Sequence, residues 1–172
     1  VNDKDIYFCS SHCTSSFRVG DFPVELALLG KGGDLEIIFD SGTTAHVLPT
    51  KTPMFNYRIK EGMVKLGDLG VELKIAGEGD TTFLPAVLHV PRMSYGLISI
   101  ACFDKQGCMS IFNRKRCWVV GVDGSLLCSG TLRGNLYHLD DKHMKLLLDK
   151  GSGTDQDSSG DDFDVHFAAL VK

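Results

Sequence analysis

The sequence predicts an all-β fold, a barrel or a sandwich, with one short helix inside it and another near its C-terminal end. Three observations predict this. Short apolar runs with period-2 alternation recur along the chain, glycine-rich turns separate them, and few stretches carry helical spacing. With 172 residues, one domain plus an appendage is expected. An apolar content of 43% against 23% charged is enough to bury a core, which excludes a globally disordered chain.

The elements follow in order. Val24–Leu29, the turn Gly30–Gly33 and Leu35–Phe39 read as strand, turn and strand. Val64–Leu66 and Val71–Ile75 flank Gly67, Asp68, Leu69 and Gly70, a hairpin with a four-residue glycine-bounded tip. Thr82–Val90 reads as a strand stopped by Pro91. Leu97–Phe103 is too continuous for an alternating strand, and Gly107 follows as a stop, so a short helix is expected at about 98–106. Met109–Phe112, Cys117–Val122 and Leu126–Leu132 read as three more strands, the last two joined by a turn at Asp123 and Gly124. Residues 140–150 read as a helix capped by Asp140 or Asp141 and ended by Gly151. Gly151–Asp162 has no apolar residue and reads as a flexible acidic linker. The alternating tail Phe163–Val171 is expected to add a strand to some edge or to lie in a peptide cleft.

Composition narrows the function. Eighteen basic residues against 22 acidic give a net charge of −4, which argues against a nucleic-acid-binding domain. The cluster Arg114–Arg116 reads as a solvated hairpin end. No apolar run approaches the ~20 residues of a membrane-spanning helix, and no secretory leader is visible. The chain starts at Val1, so it is expected to be a piece of a longer protein. Six cysteines with no leader are expected to be reduced thiols. Cys9, His12 and Cys13 resemble half of a zinc site, and His138 with His143 another half; neither is completed, so no metal or other cofactor is expected.

The motif that carries chemistry is Asp40-Ser41-Gly42, followed by Thr43 and Thr44, at the end of the apolar run Leu35–Phe39. A carboxylate at a strand end, a small hydroxyl that can lock the loop and a glycine that lets peptide and water approach form the arrangement of an aspartic protease. The same tripeptide is also an ordinary turn sequence.

The stretch from about residue 22 to 140 resembles the retropepsins, most closely the protease segment of Ty1/copia-type retrotransposon polyproteins. Pro23–Gly42 is similar to the hairpin that leads into the catalytic loop. Phe39–His46 is similar to the copia-type extension of that loop, histidine included. The hairpin around Asp68 and Leu69 lies where that family places its flap, and Gly96–Phe103 lies where it has a hydrophobic-glycine motif and short helix. Val122–Leu139 resembles the segment between protease and integrase. Met93–Tyr95 is less apolar than in retroviral enzymes, the flap tip lacks paired glycines, and no integrase zinc motif follows Leu139.

The resemblance implies a closed retropepsin-like β-barrel with a flap hairpin and one short helix, then a β extension and a short C-terminal helix. It divides the chain into an N-terminal extension (1–21), a protease domain (22–113), a pre-integrase-like β extension (114–140) and a helix, linker and tail (141–172). It implies an aspartic endopeptidase that processes its own polyprotein. Asp40, Ser41 and Gly42 form the catalytic loop; Thr43, Leu66, Gly67, Asp68, Leu69, Gly70, Val71 and Ile98 contact substrate. A single Asp-Ser-Gly is present, since Asp157–Gly160 carries an extra residue, and one carboxylate alone cannot share a proton. An active enzyme is therefore expected to be a homodimer acting on peptide or polyprotein, in the cytoplasm or inside virus-like particles, with no nucleic-acid or membrane partner. The rival expectation is a barrel that has lost catalysis and kept dimerisation or peptide binding.

Overall fold

Apolar residues at adjacent positions of the central strands serve two different cores, and this sets the architecture. A computed structural model describes residues 6–8, 35–66 and 71–149. Among them are strands β1 (Ile6–Phe8), β2 (Glu36–Asp40), β3 (Val47–Leu48), β4 (Phe55–Arg58), β5 (Met63–Leu66), β6 (Val71–Lys74), β7 (Gly77–Asp80), β8 (Val87–His89) and β9 (Tyr95–Ser99). Helix α1 (Ile100–Lys105), strands β10 (Met109–Phe112), β11 (Arg116–Val120), β12 (Leu126–Arg133), β13 (Leu136–Leu139) and helix α2 (Asp141–Leu148) follow. Ten strands form one sheet in the order β10-β11-β12-β13-β2-β9-β3-β8-β7-β4, and three form another, β1-β5-β6.

In β2, Ile37 and Phe39 enter one core and Ile38 the other. Leu97 and Ile98 of β9, Val47 and Leu48 of β3, and Val87 and Leu88 of β8 divide in the same way. Successive strand side chains point to opposite faces, so these strands are covered on both sides. One face meets Phe103 of α1, Leu147 of α2 and the inward residues of β11 and β12. The other meets Val64, Leu66, Leu73 and Ile75 of the β5–β6 hairpin and its end.

The closed barrel expected from the resemblance is not what forms. The ten-stranded sheet is open, with β10 and β4 as its edges among the described residues. The physical reason is the second core: a separate three-stranded sheet covers the face that a barrel would cover by closing on itself. The segment 114–140, expected as a β extension, continues the main sheet, and β13 pairs with β2 through His138 and Ile38.

Local features explain the element ends. The expected strand 82–90 contracts to β8, because Thr81–Ala86 turns: the Thr81 hydroxyl accepts the Leu84 N–H (3.1 Å), and Asp80 accepts the N–H of Ala86, whose φ is +51°. In β7, a Cβ on Gly77 would lie 2.3 Å from the Tyr57 ring and one on Gly79 3.0 Å from Met54, so the strand packs this closely against its neighbours only where glycine stands. Between these glycines, Glu78 is buried and is bound by Arg58 and Lys60. Helix α1 starts at Ser99, whose hydroxyl accepts the Cys102 N–H, and stops at Gly107 with φ +78°. The strand run 24–29 and the tail 151–172 lie outside the described residues.

Helix α2 is preceded by Asp140, as expected, but the Asp140 carboxylate does not cap it. It accepts from Ser129 (2.5 Å), Thr131 (2.6 Å) and Arg116 (2.9 Å), so α2 is fixed to β11 and β12, and Arg116 of the basic cluster is not merely solvated. Burial pushes this carboxyl up, but the three donors outweigh it and hold it below the usual range. Asp140→Ala should cost about 3 kcal/mol, at roughly 1 kcal/mol for each lost hydrogen bond, with Arg116 left without its anion. Denaturant unfolding of the variant measures this.

Candidate active site

The Asp40 loop grows out of β2 at the point where the parallel pairing with β9 ends. Asp40 is the register partner of Ser99, and Ser99 opens α1. The carboxylate is half-buried, and its Oδ1 accepts the Gly42 N–H at 2.7 Å. Gly42 thus turns the loop and supplies a donor to the acid. Burial raises the Asp40 pKa above its ordinary value, and the Gly42 N–H works in the opposite direction with less effect. Ser41 is exposed at the tip of the turn.

The return leg of the loop is pinned from inside. Thr43 is buried; its hydroxyl donates to Ala45 O (3.0 Å), and its carbonyl accepts from the Ser99 hydroxyl (2.7 Å). The Cys102 thiol donates to Thr44 O at 3.3 Å. His46 is buried edge-on against Phe103, and its Nδ1 accepts the Ser99 N–H at 3.1 Å. Burial pushes the His46 pKa down to about 4.

That shift has a consequence for acid stability. The unfolded imidazole takes a proton near pH 6.5, and the folded one only near 4. Stability from this group is therefore complete above about pH 6.5 and is lost as pH falls toward 4, by about 3 kcal/mol in all. His46→Phe should flatten the pH dependence of unfolding over that window, as read by denaturant melts at pH 7 and pH 4.5.

The other expected site residues are placed as follows. Thr43 is spent within the loop, and Ile98 is fully buried in the core beneath β2, so neither side chain faces open space. The β5–β6 hairpin pairs Leu66 with Val71, as the sequence indicates. Leu66 is buried in the second core and Val71 packs beside it. Gly67, Asp68, Leu69 and Gly70 lie outside the described residues. Sequence reading left open what His46 does and missed Ser99 and Cys102 entirely; a helix-capping serine after an apolar strand was the available signal for Ser99.

A cavity of about 250 Å³ lies between β4 and β7, lined by Asn56, Arg58, Glu78, Gly79, Asp80 and Ala86. It includes no residue of the Asp40 loop. No group of three or more His, Cys, Asp or Glu among the described residues is placed to hold a metal ion, and the four described cysteines, Cys102, Cys108, Cys117 and Cys128, are free thiols. No helix among the described residues is long and apolar enough to cross a membrane.

With this geometry in place, residues 37–108 match the family model described as the beta-barrel domain of Pol polyproteins, which spans β2 to the end of α1 and leaves β10–β13 and α2 outside. The chain is also 30% identical over 116 residues to a retrovirus-related Pol polyprotein from transposon TNT 1-94 of Nicotiana tabacum. That alignment covers 62% of this chain and 9% of the relative, so the chain spans about a tenth of that polyprotein. The chain is thus similar to part of a retrotransposon Pol polyprotein. No solved structure matches it.

Proposed function

We propose that the chain is an aspartic endopeptidase that processes the retroelement polyprotein to which it belongs, acting as a homodimer in the cytoplasm or within virus-like particles. The observation that carries this reading is the Asp40 loop: a half-buried carboxylate at the end of a strand covered on both faces, with a glycine N–H on one oxygen and a raised pKa. Peptide binds as an extended strand over this loop, with apolar side chains in alternate positions.

The chemistry needs two such groups. At a two-fold axis the Asp40 carboxyls of one protomer and its partner share a proton, because two carboxylates ~3 Å apart cannot both ionise. The ionised one takes a proton from water as its oxygen bonds to the scissile carbonyl carbon. The protonated one gives its proton to the carbonyl oxygen. Collapse of the tetrahedral diol breaks the C–N bond as the departing amine takes a proton from one carboxyl and a diol hydroxyl gives its proton to the other, which restores the singly protonated pair. The pKa of the single Asp40 is already raised, the direction that proton sharing requires. Expression of a longer precursor tests the reading: it is cut when Asp40 is intact and stays whole with Asp40→Asn, and uncut precursor in both cases refutes it.

A further inference from the structure

We propose that His46 is a positioning residue for Asp40: its neutral imidazole accepts the Ser99 N–H, ties the return leg of the Asp40 loop to the start of α1, and so holds the Gly42 N–H against the carboxylate. The proposal rests on the reading of Asp40 as the proton-transfer group.

The bonds on either side define the strut. Asp40 and Ser99 are side by side at the end of the β2–β9 ladder. At that point the Ser99 N–H donates to His46 Nδ1 at 3.1 Å. The Ser99 hydroxyl grips the carbonyl of Thr43, next in sequence to the glycine that bonds Asp40. The far side of His46 is fixed as well, because its carbonyl accepts the Leu88 N–H at 2.9 Å. The loop is therefore clamped between its own acid and a buried ring, and a shift of that ring moves Thr43 and Gly42.

A core-filling role does not account for an imidazole here. His46 is 1% exposed, and its Nε2 has no hydrogen-bond partner among the described residues. A phenyl ring would fill the space beside Phe103 without burying an unpaired N–H. What a phenyl ring cannot supply is an acceptor for Ser99. That acceptor is available only in the tautomer with the proton on Nε2, and only while the ring is neutral. Burial, which holds the pKa near 4, keeps it neutral.

NMR on three proteins tests this. In the wild-type chain at pH 7, imidazole nitrogen shifts should place the His46 proton on Nε2; a proton on Nδ1 overturns the proposal without any variant. In His46→Phe the Gly42 N–H loosens. Because that bond lowers the Asp40 pKa, the Asp40 carboxyl should titrate higher than in wild type, by about half a pH unit. His46→Asn, which restores an acceptor, should titrate like wild type. Folded variants whose Asp40 titration does not move, or moves equally in both, would reduce His46 to packing. With a peptide substrate, His46→Phe should lose about tenfold in kcat with KM nearly unchanged, and His46→Asn should recover most of it. A wild-type chain that cleaves nothing yet gives the expected tautomer and titrations keeps the strut and loses the peptidase. Cleavage with an unmoved Asp40 titration does the reverse.

Discussion

Asp40→Asn should lower peptide cleavage by about 10³-fold, leave both sheets folded and poison wild-type chains in a mixture. The loop should survive the change, because an Asn side-chain oxygen can still accept the Gly42 N–H that Asp40 Oδ1 accepts now. In the proposed dimer each site takes one Asp40 from each protomer, so an Asn in either would remove the shared-proton pair. In a random equimolar mixture about a quarter of dimers keep two aspartates, and activity should fall well below half of the wild-type value. Activity at half or more, with exchanging subunits, would mean that each chain works alone. The same variant carries a stability signature. The folded pKa of Asp40 lies above its unfolded value of 3.8, so the folded state keeps its proton longer and loses stability as pH rises through that interval. Asn does not ionise, so the variant should melt slightly higher than wild type at pH 7 and alike at pH 3.

Gly130→Ala should destabilise the chain by about 3 kcal/mol, a large part of the total stability of a domain of this size. A Cβ there would lie 2.6 Å from the His138 carbonyl oxygen, 2.6 Å from the Phe39 ring and 2.9 Å from the Cys117 sulfur. The carbonyl belongs to the backbone of β13 and cannot rotate aside, so β12 and β13 must separate. Phe39 precedes Asp40, so the strain reaches the strand that carries the Asp40 loop. Gly124→Ala is the control. Its φ of +83° carries a conformational cost of about 1 kcal/mol, but nothing lies within 4 Å of the added carbon. Denaturant melts of the two variants separate crowding from backbone strain. Equal, small effects would show that β11–β13 are an appendage to the sheet and not part of its core.

Much of this arrangement could be read from local sequence. β2, the β5–β6 hairpin, α1, α2 and the β10–β12 meander were legible because periodicity and turn residues agree there. β3 is two residues long and leaves no pattern. β4 was hidden by Asn56, whose left-handed φ of +51° puts a bulge in the strand, and β7 by its glycines. The open sheet was not legible at all. Whether a face is covered by closure or by a second sheet depends on contacts between Ile38, Leu73 and Leu97, which are far apart in the chain. The site divides in the same way. The Asp40 loop stands in one contiguous motif, but the Ser99–His46 bond joins residues 53 positions apart. The burial of Thr43 and Ile98 follows from packing that no tripeptide reveals.

The central claim, two Asp40 carboxyls acting across a two-fold axis, is tested most directly by solution mass with and without a peptide that carries a hydroxyl in place of the scissile carbonyl. Such a peptide resembles the tetrahedral diol and should bind only where both carboxyls meet. The account predicts a dimer with one peptide per two wild-type chains, and weakened binding when Asp40 is replaced by Asn. A monomer that binds one peptide per chain, or binding indifferent to Asp40, would contradict it.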